Sequence, residues 1–198
     1  MLLRFTKMHG LGNDFMMVDL VSQNAHINTT TIQELSDRKT GIGFDQLLTV
    51  TPPDDPEVDF RYTIYNADGS EAEQCGNGAR CFLRFVRDQG LTTKSLIRLQ
   101  TRTGHITCRL EKDSNITVNM GTPVLQPARI PFIADMPQIL YDLDLPDSHD
   151  QVSATVVNVG NPHTVITVDD LETAPVASLG PILESHYRFP EKVNVGFM

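Results

Sequence analysis

Residues 66–81 read NADGSEAEQCGNGARC, and this segment sets the architecture of the chain. Cys75 stands directly before a Gly-Asn-Gly turn, and an amphipathic helical pattern follows the turn. A thiol at a helix N-terminus lies close to unpaired backbone N–H groups and to the positive end of the helix dipole. We therefore expect the pKa of Cys75 to lie below the free value of about 8.5. The same N–H groups could bind a carboxylate.

Two positions for the start of this helix compete in the sequence. Ser70 and Glu73 match a capping box, which would place Cys75 inside the helix. Gly76 and Gly78 argue against that start, because each glycine weakens a helix interior by about 1 kcal/mol. We expect the helix to follow Cys75 and to end before Gly90. The residues expected to face the core are Phe82, Leu83, Phe85 and Val86.

The remaining chain alternates predicted strands with two further helices. Thr31 and Glu34 match a capping box and predict a short helix, and residues 178–187 predict a helix with Pro181 in its first turn. The proline-containing stretch 122–150 is expected to be irregular or extended. The predicted strands are 2–8, 15–20, 47–50, 60–65, 95–101, 105–110, 115–120, 152–159, 164–168 and 193–198.

The composition of the 198 residues excludes several classes of function. The net charge of −9 makes nucleic acid an unexpected partner. No run of eighteen apolar residues is present, so we expect no membrane span. The chain has three cysteines without a Cys-x-x-Cys pair, which argues against a zinc site and favours a reduced cytoplasmic protein.

Four ordered segments of the sequence resemble those of the diaminopimelate epimerase family. They are residues 7–15 (KMHGLGNDF), 41–46 (GIGFDQ), 66–81 and 160–163 (GNPH). The resemblance runs from Phe5 to Met198 and is closer to this family than to the related proline racemases. It implies a cofactor-independent isomerase that interconverts LL- and meso-diaminopimelate in lysine and peptidoglycan-precursor biosynthesis. It also implies a small-molecule substrate and, for the intact family, a homodimer.

The fold implied by the resemblance is an α/β (α+β) fold like that of diaminopimelate epimerase. It consists of two pseudo-symmetric β-rich domains, each wrapped round a central helix. On this basis residues 1–118 form the first domain, which contains the Cys75 helix, and residues 119–198 form a second, incomplete domain. The family also has a Glu-Arg-Gly-x-Gly segment and a second Cys-Gly-Ser/Thr-Gly segment, neither of which occurs in this sequence.

The resemblance assigns roles to single residues of this chain. Cys75 is implied to be one of two acid/base groups acting on opposite faces of the substrate α-carbon. Because the second cysteine segment is absent, we expect the 198 residues alone to have little or no epimerase activity. His163 matches a position that modulates the pKa of the thiol. The implied substrate-binding residues are Asn13, Gln46, Asn66, Gly76, Asn77, Asn161 and Asn194.

Two other functions stay open at the level of the sequence. One is a proline-racemase-like isomerase, although the polar contacts that an implied site with Asn13, Asn66, Asn161 and Asn194 offers are more than a proline pocket needs. The other is a non-catalytic fragment that binds substrate or another protein. Calorimetry with proline and diaminopimelate separates the first alternative from the epimerase. Protection of Cys75 by substrate against a thiol reagent tests the second.

Overall fold

The computed structural model describes residues 2–146 and 150–198. Within it the chain forms two compact units, Met1–Met120 and Gly121–Met198, and each has its own hydrophobic core. The mixed α/β class expected from the sequence is confirmed. The assignment of residues 1–118 and 119–198 as a first and an incomplete second epimerase domain stays a prediction.

The first unit is built on a mixed sheet in the order β1-β2-β3-β4-β6-β7-β8, with β5 paired to β4. The pairs β2–β3 and β4–β6 are parallel, and the other neighbouring pairs are antiparallel. The strands are β1 (Thr6–Gly10), β2 (Asn13–Asp19), β3 (Gln46–Thr51), β4 (Phe60–Asn66), β5 (Glu71–Ala72), β6 (Leu96–Thr101), β7 (Gly104–Leu110) and β8 (Ile116–Asn119).

The amphipathic helix α2 (Gly76–Asp88) packs its apolar face on this sheet. The four apolar residues predicted to face the core are all buried, which confirms that prediction. The Phe82 ring meets the Tyr62 ring edge-on at a centroid distance of 5.1 Å. Gly90 adopts a φ of +70° after the helix, as expected for a terminating glycine.

The first helix, α1 (Thr29–Ser36), begins two residues before the predicted capping box. Its N-cap is Asn28, whose side-chain oxygen accepts the N–H of Thr31 at 2.8 Å. The prediction of Thr31 as N-cap is therefore wrong. The longer Asn side chain satisfies the free N–H of the first turn, and Thr31 already belongs to the helix.

The second unit contains a four-stranded sheet in the order β12-β11-β10-β9. Its strands are β9 (Tyr141–Asp144), β10 (Gln151–Asn158), β11 (Pro162–Ile166) and β12 (Asn194–Phe197). The β11–β12 pair is parallel, and its register places His163 opposite Asn194. The stretch predicted to be irregular or extended contains a short 3-10 helix, Pro127–Arg129, and the extended strand β9. Residues 147–149 of that stretch lie outside the described residues.

The third helix, α3 (Val176–Glu184), has Pro181 in its interior, so the prediction of a first-turn proline is wrong. The helix starts earlier than the sequence suggested, at the residue after Pro175. A proline within a helix removes one backbone hydrogen bond and costs about 3 kcal/mol in isolation. Burial of Leu183 in the core of the second unit helps to offset that cost.

Candidate active site

Cys75 is the N-cap residue of α2. Its backbone is extended (φ −141°, ψ 111°), and its sulfur accepts the N–H of Gly78 at 3.4 Å. The hydroxyl of Tyr62 donates to the Cys75 carbonyl oxygen at 3.1 Å, which ties the helix start to β4. A Cβ atom on Gly78 would lie 2.3 Å from that hydroxyl oxygen. Only glycine therefore permits the close approach that positions the thiol.

The pKa of the Cys75 thiol is raised, so the sequence-based expectation of a lowered pKa is wrong. The largest effect on this pKa is the partial burial of the thiol, which disfavours the thiolate. The N–H groups of Gly78 and Asn77 and the charge of Arg80 act in the expected, lowering direction. The helix N-terminus therefore does what the sequence predicted, but desolvation outweighs it. The raised pKa favours the protonated thiol at neutral pH.

Asn13, the first residue of β2, is the closest side-chain partner of this thiol. Its Oδ1 atom accepts the S–H of Cys75 at a sulfur-to-oxygen distance of 3.6 Å. Its amide nitrogen donates to Asp45 Oδ2 at 3.1 Å. The structure thus brings together two of the residues that the sequence singled out, from segments 62 residues apart.

Gln46 and Asn66 also lie side by side. They face each other in the antiparallel register of β3 and β4, and Gln46 Nε2 donates to Asn66 Oδ1 at 3.0 Å. Asn66 Nδ2 donates in turn to the hydroxyl of Ser70 at 3.1 Å. The Oε1 atom of Gln46 is buried and has no hydrogen-bond partner among the described residues. A buried acceptor without a donor costs free energy, so a ligand that donates to this oxygen would relieve the cost.

Gly76 and Asn77 form the first turn of α2, after Cys75. The Asn77 side chain is engaged locally, because Arg80 donates to its Oδ1 atom. A Cβ atom on Gly10 of β1 would lie 3.3 Å from the Asn77 carbonyl oxygen, so the helix start also runs close to β1. A Cβ atom on Gly76 would lie 3.4 Å from the Met120 sulfur. The turn is therefore held on several sides by the first unit.

A cluster of charged side chains adjoins Asn13, and the sequence analysis did not predict it. Asp14 accepts hydrogen bonds from Lys7 at 2.9 Å and from both terminal nitrogens of Arg38 at 3.1 and 2.7 Å. Arg38 also donates to Asp45 Oδ1 at 2.8 Å. These cations hold the pKa of Asp14 well below its usual range, mainly through Arg38. The sequence did contain one indication of this cluster. Asp14 follows Asn13 and Asp45 precedes Gln46, so each adjoins a predicted site residue.

The three predicted site residues of the second unit lie close together within that unit. His163 Nε2 lies 2.9 Å from Asn161 Oδ1, and Asn194 Nδ2 donates to the Pro162 carbonyl at 3.0 Å. Burial lowers the pKa of His163 from its ordinary value, so the imidazole is neutral at pH 7. A neutral imidazole can accept a proton or orient a neighbouring group.

The other two cysteines belong to the core of the first unit. Cys81 and Cys108 are buried and, like Cys75, not in a disulfide. Burial raises the pKa of Cys108 to about 12, which makes this thiol unreactive at neutral pH. Residues 2–146 and 150–198 include no group of three or more His, Cys, Asp or Glu side chains arranged to hold a metal ion. In the same residues no helix combines the length and apolar character needed to cross a bilayer.

The sequence matches one family along most of its length. A family model described as diaminopimelate epimerase matches residues 5–126. The diaminopimelate epimerase of Ectopseudomonas mendocina (strain ymp) is 56% identical over 198 residues, which cover 100% of this chain and 71% of that protein. The diaminopimelate epimerase of Acinetobacter baumannii (strain AYE) is 58% identical, again over 100% of this chain and over 70% of that protein.

Solved structures share the fold at much lower identity. A hydroxyproline epimerase from Agrobacterium vitis superposes with a TM-score of 0.59 at 12% identity. The match covers 86% of this chain and 53% of that chain, so these residues span about half of that structure. At this identity the similarity bears on the fold alone.

Proposed function

Because this chain belongs to the diaminopimelate epimerase family, a family of isomerases, we propose that it takes part in interconverting LL- and meso-diaminopimelate in lysine and peptidoglycan-precursor biosynthesis. The observation that carries the proposal is the thiol of Cys75 at the start of α2, bonded to Gly78 N–H and to Asn13 Oδ1. From membership of the family we also propose that the protein is a homodimer and lies in the cytoplasm. Sedimentation and cell fractionation test those two points.

Inversion at the α-carbon requires removal of a proton from one face and delivery of a proton to the other. A thiol can deliver the proton, and a thiolate can remove it, so one type of side chain serves both directions of the reaction. Cys75 in its protonated form is suited to delivery. Its action as a base requires the thiolate, which the N–H groups of Asn77 and Gly78 and the charge of Arg80 favour.

We propose that a second thiol is the other acid/base group, because the two-cysteine mechanism implied for this family needs one thiol on each face of the α-carbon. Cys81 and Cys108 are poor candidates, because both are buried in the core of the first unit and neither lies at a helix N-terminus. Among the 198 residues Cys75 is then the one competent thiol. We therefore propose that these residues alone have little or no epimerase activity.

The polar residues around Cys75 suit a substrate that carries ammonium and carboxylate groups. We propose that the backbone N–H groups of Gly76 and Asn77 bind the α-carboxylate, since a helix N-terminus favours an anion. The amides of Asn13, Gln46 and Asn66 offer both donors and acceptors without net charge. Binding of an ammonium group beside Gln46 and Asn66 would supply donors to a pair that has an unpaired acceptor.

For the second unit we propose substrate contacts by Asn161 and Asn194 and modulation of the Cys75 pKa by His163. Support comes from the neutral state of the partly buried imidazole and from its bond to Asn161. A His163→Gln substitution would then shift the pH dependence of Cys75 alkylation in the 198-residue protein. An unchanged profile would contradict the modulating role.

The proposed function is tested by exchange of the substrate α-hydrogen. The 198-residue protein is incubated in D2O with LL-diaminopimelate, and both deuterium uptake at the α-carbon and formation of the meso isomer are measured. We expect little meso product, and any uptake of deuterium should disappear in Cys75→Ser but persist in Cys81→Ser. Turnover near that of a full-length homologue would contradict the two-thiol proposal. Calorimetric binding of proline in place of diaminopimelate would contradict the substrate.

A further inference from the structure

Asp45 lies immediately before β3 and faces the first residues of β2. Its Oδ2 atom accepts the side-chain amide of Asn13 at 3.1 Å and the backbone N–H of Asp14 at 3.0 Å. The backbone N–H of Asp45 donates in return to Asp14 Oδ1 at 2.9 Å. The carboxylate is thus fixed on the parallel β2–β3 pair from both sides.

Arg38 holds the other oxygen of this carboxylate. Its Nη2 atom lies 2.8 Å from Asp45 Oδ1 and 2.7 Å from Asp14 Oδ1. A guanidinium has only donors, and its planar fork suits two carboxylates at once. Both oxygens of Asp45 are therefore engaged as acceptors, which holds the carboxylate in one orientation.

The acceptor-only carboxylate determines how the Asn13 amide is turned. The carboxylate oxygen accepts from the NH2 end of that amide, so the Oδ1 end points to Cys75. An amide oxygen 3.6 Å from the sulfur attracts an S–H group and repels a thiolate. The reverse orientation of the amide would present an N–H donor to the sulfur and would favour the thiolate instead.

We propose that Asp45 is a positioning residue, which fixes the Asn13 amide with its oxygen toward Cys75 and so favours the thiol over the thiolate at this site. The chain of contacts runs from Arg38 through Asp45 and Asn13 to the sulfur. The consequence for catalysis, a Cys75 ready to donate a proton, rests on the proposed function. The orientation itself does not rest on it.

His163, proposed above to modulate this thiol, is unchanged in the variants that test this proposal, and so are the groups of the first unit that act on the Cys75 thiol. On α2 these are Arg80, the thiol of Cys81 and the first-turn N–H groups, and on β4 it is the hydroxyl of Tyr62. Asp45 instead contacts Asn13, Asp14 and Arg38. A change that follows substitution of Asp45 must therefore pass through Asn13 or through the lost charge itself.

Alkylation of Cys75 by iodoacetamide, followed by peptide mass spectrometry across pH 6–10, reads out the thiolate in the full 198-residue protein without substrate. In Asp45→Asn the new side-chain amide can donate a hydrogen bond as well as accept one, so the Asn13 amide is free to turn. We expect alkylation at pH 7.5 to become about threefold faster, in line with one weak hydrogen bond gained by the thiolate. Asp45→Glu, which retains a carboxylate, should stay closer to the parent. Asp54→Asn breaks a comparable exposed pair with Arg61 and should change nothing.

A double-mutant cycle separates amide orientation from loss of charge. In an Asn13→Ala background, Asp45→Asn should lose most of its effect on the alkylation rate. An equal effect in both backgrounds, or no effect in the parent, would overturn the proposal. Arg38→Gln provides a second variant, because a loosened Asp45 should speed alkylation, whereas loss of a positive charge alone would slow it. Since no turnover is measured, the outcome is independent of the exchange assay for the proposed function.

Discussion

Cys75 and Cys108 illustrate how one residue type acquires two different reactivities in the same unit. Burial raises the pKa of both thiols. At Cys75 the N–H groups of the first turn of α2 and Arg80 oppose the effect of burial. At Cys108 burial is the cause of the raised pKa, and the S–H group donates to the Ala79 carbonyl oxygen at 3.7 Å. The position before a helix therefore separates a usable thiol from an inert one.

Cys108 should make the free energy of unfolding depend on pH in the alkaline range. Its pKa is raised on folding from 9.0 to about 12, so this stability is fully present below pH 9 and is lost as the pH rises toward 12. Between pH 8.5 and 10.5 the parent should lose about 2 kcal/mol more than Cys108→Ala, which has no thiol to ionise. Urea unfolding monitored by circular dichroism measures both slopes. Parallel slopes would show that Cys108 ionises equally in the folded and unfolded chains.

At the scale of the element, the approach of α2 to the sheet depends on Gly78. An added Cβ would lie 2.3 Å from Tyr62 Oη and 2.9 Å from Leu48 Cδ2. We expect Gly78→Ala to cost about 2 kcal/mol through overpacking, although alanine is the better helix former. Urea unfolding gives the value.

The control for this prediction is Tyr62→Phe, which removes the oxygen that the new Cβ would meet. In that background Gly78→Ala should cost clearly less than in the parent. The single Tyr62→Phe change removes the bond to the Cys75 carbonyl and sets the baseline for the comparison. An equal cost in both backgrounds would mean that Leu48, rather than the hydroxyl, limits the approach.

The start of α1 gives a second prediction at this scale. Asn28→Ala removes the side-chain oxygen that accepts the Thr31 N–H and should cost about 1 kcal/mol. Thr31→Ala, at the position that the sequence suggested as N-cap, should cost less, because Thr31 already lies in the helix. Paired urea titrations compare the two variants. A larger loss for Thr31→Ala would restore the capping box as the start of the helix.

Local patterns predicted what depends on local interactions. The spacing of Phe82, Leu83, Phe85 and Val86 was sufficient to predict α2 and its buried face, because a helix repeats within its own sequence. The bond from Asn13 to Asp45 could not be predicted in this way, since it depends on the parallel register of β2 and β3. The predicted direction of the shift in the Cys75 pKa was wrong for a related reason. Desolvation depends on the surrounding strands, and a motif does not contain them.

At the scale of the whole molecule, the two units have separate cores. The core of Met1–Met120 is formed by α2 and by strands of its own sheet, with Ile106 and Cys108 of β7 among its buried residues. The contacts of Cys75 with Asn13, Tyr62 and Gly78 also lie within this unit. The first unit therefore contains the interactions that a folded domain needs.

We expect residues 1–120 alone to fold cooperatively, because their core does not draw on the second unit. Thermal unfolding by circular dichroism should give a single sharp transition, and the amide spectrum should be well dispersed. The matched control is residues 1–103, which lack β7 and β8 and leave β6 without its antiparallel partner. That fragment should unfold without a cooperative transition, since the buried side chains of Ile106 and Cys108 are missing. A broad, featureless melt of residues 1–120 would show that the first core depends on the rest of the chain.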